Sequence, residues 1–310
     1  MNKDFRKFTQ EFKNYINTPA GQKAIVTTLT NIFSMRMVGN KTHGDLAEIG
    51  INEFINRNLG HKYESIHVGK DLYRAKEHEE DILITDKKTK NQIPVSLKAY
   101  GNGPLQLSTD KEFKMFPYLE KMRKTYGDTI TDSTVINEIF HSEAFKSFFE
   151  SDDINVLPMI YTENKQEDEN IPVKNKCNIL RFDANKAEEG TKKIVYVAAK
   201  RKFDEKKGEV QEGGSRLHPI YLFLDENDHY IFEIRYGDAA ANALQRGLWT
   251  HTKNASGYFD SLTNGWIEYE YNKTIVDLFS VALNMSFEDP EKTKQEFLNF
   301  FDQLKKEPKK

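Results

Sequence analysis

Cysteine is nearly missing from this chain: Cys177 is the single one in 310 residues. That excludes an intramolecular disulfide and a zinc site built on several thiolates. Long apolar runs are missing too. No stretch approaches the roughly 18 consecutive apolar residues of a membrane span. Met1 to Lys23 interleaves Lys3, Arg6, Lys7 and Lys13 with acids and rings, without the apolar centre of a secretory signal. The expectation is a soluble, cytoplasmic protein with no membrane partner. Charge of one sign is also lacking, since 45 Lys and Arg face 48 Asp and Glu for a formal charge of −3. Such a chain has no global field for a polyanion and must grip one through local patches. Familiar hydrolase motifs are absent: no His-Glu-x-x-His pair and no Gly-x-Ser-x-Gly elbow. Gly101-Asn102-Gly103-Pro104 lacks the spacings of a P-loop or dinucleotide loop, so no nucleotide cofactor is expected.

Ring surface, by contrast, is plentiful. With 21 Phe, 14 Tyr and 2 Trp among 38% hydrophobic residues, the chain has material for a sizeable core. There is no internal repeat and no evident linker, so the expected organisation is one compact α/β domain, 1–310. Phe5, Phe8, Phe12, Tyr15 and Ile16 recur at helical spacing, and the first 41 residues carry seven basic against two acidic side chains. This reads as a basic amphipathic lead-in whose stripe is core and whose charged face is solvated or turned to DNA. A second helix is expected over Thr42 to Asn58, with Thr42 as cap and Asp45 in its first turn. Glu80 to Thr85 and Ile93 to Tyr100, joined by the polar Asp86 to Asn91, read as an antiparallel hairpin.

Helices are expected next at about Asp110 to Lys124 and Thr134 to Phe149. Strands are expected at Val156 to Tyr161, Asn178 to Phe182, Ile194 to Ala199, Ile220 to Leu224 and Tyr230 to Tyr236, the last two a hairpin. Helices near Ile275 to Asn284 and Pro290 to Leu304 close the chain. Thr191 to Arg216, with eight basic against four acidic residues, reads as a basic flexible loop around its strand.

Three of these elements carry candidate chemistry. Glu48 lies one turn before Ile51 and two before Ile55, on their apolar face, where a carboxylate needs a reason. Asp81 opens the first hairpin strand. Period two sets Ser96, Lys98 and Tyr100 on one face of the second strand, opposite Val95, Leu97 and Ala99. If the helix packs over the hairpin, Glu48, Asp81 and Lys98 converge. Two carboxylates facing one cavity repel, and a hard divalent cation, magnesium or manganese, stabilises them together. A lysine beside them orients or deprotonates water, or steadies a phosphate. The set suits hydrolysis of a phosphodiester. Glu79 or Glu80 takes the place of Asp81 if the register slips by one.

Asp81, followed 15 residues later by Ser96-Leu97-Lys98, resembles the Asp…(Asp/Glu)-x-Lys signature of the PD-(D/E)xK nucleases. By motif the resemblance covers about residues 42–125. It implies a mixed sheet flanked by helices, with extra helices and a β-hairpin in the C-terminal half. Within that class the chain looks like a type II restriction endonuclease. This implies Mg2+ dependence, with Mn2+ as a substitute, and cleavage of double-stranded DNA at a short palindromic site by a homodimer. The family roles would give metal binding to Asp81 and to an acid on the preceding helix, here Glu48, and positioning or activation of water to Lys98. Two positions depart from the pattern: Glu80 stands where the proline would be, and Ser96 where the second acid would be. Glu112, 16 residues after Ser96, resembles the helical Glu that some enzymes of this superfamily pair with Ser-x-Lys, which would make it a metal ligand. Thr109-Asp110-Lys111-Glu112 also reads as a capping box, in which Glu112 bonds its own helix end.

Base reading is expected within about residues 191–272. A short alanine-rich helix capped by Asp238 would set Asn242, Gln245 and Arg246 on one exposed side. These are the side-chain types that read adenine and guanine edges in the major groove. Arg235, His251 and Lys253 at its ends, with Lys200, Arg201 and Lys202, would then hold phosphates. An ordinary polar helix face is the plainer alternative. Two other functions stay open: a non-catalytic DNA-binding protein on a degenerate nuclease scaffold, and a structure-specific repair nuclease.

Overall fold

A computed structural model describes residues 2–36, 43–68, 80–101, 103–108, 114–150, 155–162, 175–199, 201–204, 209–212, 218–235 and 247–270, and near the C-terminus 272, 274–275, 277–278, 291–292, 294–296, 298–299 and 302. Three helices lead the chain: α1 (Lys3–Ile16), α2 (Pro19–Arg36) and α3 (His43–Asn58). Asn2 caps α1 by accepting from the Asp4 amide at 2.8 Å. The expected stripe is core, with Phe5, Phe8, Phe12 and Ile16 at most 1% exposed. On the polar side Lys7 reaches Asp86 at 2.8 Å, and Glu11 receives Lys62 at 2.8 Å. Lys7 is therefore tied to a carboxylate of the neighbouring sheet.

Strand β1 (Tyr63–His67) comes next, then the hairpin of β2 (Ile82–Asp86) and β3 (Gln92–Tyr100). The hairpin pairs as the pattern requires, Ile82 opposite Val95 and Thr85 opposite Gln92. Asp86 shapes its turn by accepting from the amides of Lys88 and Thr89 at 2.8 and 3.0 Å. The chain continues through β4 (Pro104–Ser108), α4 (Met115–Tyr126), β5 (Thr129–Ile130), α5 (Ser133–His141), α6 (Glu143–Glu150), β6 (Val156–Thr162), β7 (Asn175–Arg181) and α7 (Ala184–Gly190). It then runs through β8 (Lys193–Ala199), β9 (Arg201–Asp204), β10 (Glu209–Glu212), β11 (His218–Leu224), β12 (Tyr230–Arg235), β13 (Gly247–His251), α8 (Thr252–Tyr258), β14 (Asp260–Ser261) and β15 (Ile267–Tyr269).

The fold is mixed α/β. A seven-stranded sheet runs β1-β2-β3-β6-β7-β14, with β15 also on β7, and a six-stranded sheet runs β4-β13-β12-β11-β8-β5. The larger sheet is mixed because β3 and β6 are parallel. Its central strands are covered on both faces. Leu157, Met159, Cys177 and Ile179 join the core under α1, α2 and α3, while Ile160, Leu180 and Phe182 join a second core with α4, α5, α6 and the six-stranded sheet. Among the described residues no helix is long and apolar enough to cross a membrane.

Three expectations need correction. The helix expected over Thr134 to Phe149 is two, broken at Ser142, whose extended backbone ends α5 while its hydroxyl accepts from the Phe145 amide at 3.3 Å to start α6. The helix expected from Asp110 begins at Met115, with Lys114 as its uncapped N-terminus. The basic loop expected across Thr191 to Arg216 contains the antiparallel ribbon β9–β10, Arg201 opposite Glu212 and Phe203 opposite Val210. The alanine-rich helix from Asp238 and the capping box Thr109 to Glu112 lie outside the described residues, as does most of the two closing helices.

Candidate active site

The site is built where the hairpin opens. Pairing of β2 with β3 stops at Ile82 opposite Val95, and β3 continues beside β6 from Ser96–Val156 to Tyr100–Ile160. Asp81 stands at that fork, its amide donating to the Val95 carbonyl at 3.1 Å and its carbonyl accepting from the Val68 amide at 3.1 Å. A strand amide that has lost its cross-strand carbonyl needs another acceptor. The Asp81 carboxylate supplies it: Oδ2 accepts from the Leu97 amide at 2.6 Å and from the Ser96 hydroxyl at 2.9 Å. Oδ1 has no hydrogen-bond partner among the described residues. The second-acid position is thus filled by a hydroxyl that bonds to the first acid. Lys98, half-buried like Ser96, follows it at the two-residue period of β3, on the face away from buried Val95 and Leu97. Among the described residues no carboxylate is paired with its ammonium.

Glu48 arrives from the other side. Helix α3 docks on the sheet through buried Ala47, Ile51, Phe54 and Ile55, which carries the Glu48 side chain down to 12% exposure. Its Oε2 lies 3.1 Å from Nε2 of His67 at the end of β1. His67 in turn sits opposite Ile82, the neighbour of Asp81. Burial pushes the Glu48 carboxyl above the usual carboxylate range, against the pull of the His67 hydrogen bond, and the charges of Asp81 and Asp45 push it further up. The charge of Asp81 is thus felt at Glu48. His67 is the member that sequence reasoning missed. The available signal was period two in Tyr63, Ser65 and His67, which turns the histidine to the side of the two buried residues.

No family model, curated protein or solved structure matches the chain.

The remaining candidates are scattered. Arg235 is bound to Glu233, with Nε and a terminal nitrogen each 2.5 Å from Oε1, and its guanidinium lies 4.8 Å from the Trp249 ring centre. Glu233 is 1% exposed, and a carboxylate buried that deeply needs its cation. His251 is also 1% exposed, its Nδ1 accepting from the Lys253 amide at 3.2 Å. His251 is part of the sheet interior, which corrects its expected grip on phosphate, whereas Arg235 stays partly exposed with its guanidinium tied to Glu233. Lys253 is exposed at the start of α8. Arg201 and Lys202 lie on β9. Lys200, Asn242, Gln245, Arg246 and Glu112 lie outside the described residues.

The donor chemistry fits a hard divalent cation. Glu48 and Asp81 offer carboxylate oxygens, partly withdrawn from water, whose mutual repulsion a cation between them relieves. Among the described residues no three of His, Cys, Asp or Glu gather as a metal-binding group.

Proposed function

We propose that this protein is a Mg2+-dependent type II restriction endonuclease of PD-(D/E)xK type, hydrolysing phosphodiester bonds in double-stranded DNA at a short palindromic site. The observation that carries the reading is the Asp81 carboxylate fixed on Ser96 and Leu97 at the fork of the hairpin, in the field of Glu48, with Lys98 two residues after Ser96 on β3. Glu48 and Asp81 hold the cation, which when bound supplies polarisation of the phosphoryl group and neutralises the leaving oxygen. Asp81 keeps Oδ2 on the strand and presents Oδ1. The Lys98 ammonium steadies the scissile phosphate and orients the attacking water. Glu112, outside the described residues, is the sequence candidate for the acid missing at Ser96. A palindromic target calls for a two-fold homodimer, one active centre per strand. Access to DNA places the protein in the cytoplasm.

Plasmid digestion tests this. With Mg2+ or Mn2+ the wild type gives discrete fragments, and Lys98→Ala slows cutting at least about 100-fold, as loss of a proton-handling side chain does. Inert wild type with every divalent metal overturns the reading. The hydroxyl at position 96 favours one other, a nuclease-like scaffold that holds DNA without cutting. It predicts DNA affinity independent of metal, and a Glu112→Ala protein that behaves like the parent.

A further inference from the structure

Helix α3 and strand β1 meet along a line of polar side chains. Asn56 brackets Ser65, accepting from its amide at 2.8 Å and donating to its carbonyl at 2.8 Å. One turn earlier Asn52 accepts from the Ser65 hydroxyl at 2.7 Å. One turn earlier again Glu48 meets His67 at 3.1 Å. Asn56 and Asn52 share Ser65, and the step from Asn52–Ser65 to Glu48–His67 matches four helical residues, a rise of about 6 Å, to two strand residues, about 6.6 Å. Asn52 and Ser65 are 7% and 4% exposed, so each hydrogen bond there is needed and the register of helix on strand is held. Glu48–His67 is the last rung, at the end of β1 that lies beside the hairpin fork.

That rung differs from the others in what it leaves unused. With Glu48 ionised its carboxylate only accepts, and the His67 imidazole then donates through Nε2 to Oε2 alone. Oε1 has no hydrogen-bond partner among the described residues, and the nearest atom a Cβ at Gly44 would meet is this oxygen, at 3.8 Å. One oxygen is fixed by the imidazole and the other is presented, the same division as at Asp81.

The geometry points to His67 as the positioning residue of the metal site: its imidazole holds the Glu48 carboxylate in the orientation that shares a divalent cation with Asp81. This rests on the endonuclease reading above and names the residue on which its metal affinity depends. His67 touches neither cation nor phosphate. It acts by removing the rotamer freedom that a glutamate otherwise loses when it binds metal, and partners that orient a ligand in this way are worth about 10- to 100-fold in affinity.

The test compares full-length wild type with His67→Ala, His67→Gln, His67→Asn and Asn52→Ala. Mn2+ binding is measured by calorimetry without DNA, urea unfolding follows stability, and plasmid cleavage against Mg2+ concentration separates half-saturation from maximal rate. His67→Ala is expected to weaken Mn2+ binding about tenfold or more and to raise half-saturating Mg2+ by a like factor, with the rate recovered at high Mg2+. His67→Gln, whose amide N–H can reach the same oxygen, restores most of the affinity, while the shorter His67→Asn does not. Asn52→Ala loses stability and keeps wild-type Mn2+ binding. Should His67→Ala fail to fold, the contrast between Gln and Asn decides. Wild-type Mn2+ affinity in His67→Ala, or in the Asn variant, overturns the proposal, as does a loss that Asn52→Ala reproduces. A wild type that neither binds Mn2+ nor cuts DNA sinks the endonuclease reading and this inference with it, whereas a cutting wild type with an unaffected His67→Ala sinks this inference alone.

Discussion

Asp86 and Lys7 join the first helix to the hairpin, and their ion pair sets a pH dependence that can be worked out. The Lys7 ammonium and the amides of Thr89 and Lys88 hold the Asp86 carboxyl at about 2, below its ordinary 3.8. A carboxyl whose folded value is depressed contributes stability that is fully present above the unfolded value and is lost as pH falls from about 4 toward 2. Urea unfolding should therefore find Asp86→Asn less stable than wild type by about 1–2 kcal/mol at pH 6, where a charged acceptor has been replaced by a neutral one. The gap should narrow below about pH 4 and close only as pH falls through about 2. A gap that persists at low pH means that shape, and not charge, holds the turn. At the same scale, Asp81 was legible as a strand-opening acid because its contacts with Ser96 and Leu97 lie within one hairpin, where register follows from period two. Arg235 and His251 were not legible. The burial of His251, and of Glu233 that claims Arg235, depends on what covers both faces of the six-stranded sheet, and no local pattern reports that.

Among the elements, α1 was the most legible because a one-sided apolar stripe is a property of fifteen or so consecutive residues and demands a surface to cover. Phe8 is its centre, 5.2 Å from the Tyr63 ring in an edge-on contact and 5.9 Å from Phe12. Phe8→Ala should cost about 3–5 kcal/mol, read by denaturant unfolding, since the cavity opens between helix and sheet with no neighbour free to collapse into it. A cost under about 1 kcal/mol means that α1 is peripheral to the fold. The break at Ser142 escaped notice because both flanks keep helical periodicity. Only the Ser142 hydroxyl, serving the end of α5 and the start of α6, marks the join. The β9–β10 ribbon escaped for the opposite reason, as its charged residues mask the alternation of a strand.

For the whole molecule the balance of charge decides how the proposed endonuclease would hold DNA. With a net charge of −3, the proposed endonuclease has no long-range attraction to a polyanion, so affinity must come from a limited set of local phosphate contacts. Binding of a fluorescent duplex carrying the cleavage site, measured in Ca2+ to prevent cutting, should fall with salt along a log–log slope of about −4 to −8, the range for some five to nine phosphates. A slope near zero would show that no phosphate-gripping surface exists. β3 runs on past the end of its pairing with β2, and β4, the next strand, belongs to the six-stranded sheet. The acids and the second sheet are thus consecutive along the chain.

The amino-acid order alone determined what is local: the α1 stripe, the β2–β3 hairpin, the faces of β3 that carry Ser96 and Lys98, and the exclusion of disulfide and thiolate–zinc chemistry. Each follows from residues within about one or two elements, where 3.6- and 2-residue periods leave few alternatives. The tertiary structure decided that α3 crosses β1 with Glu48 against His67, that Arg235 is given to Glu233, and that His251 is interior. Those outcomes depend on the rotation of a helix over a strand and on which faces of a sheet are covered. Both are set by the sum of many contacts between segments far apart in sequence, and no period along the chain encodes them.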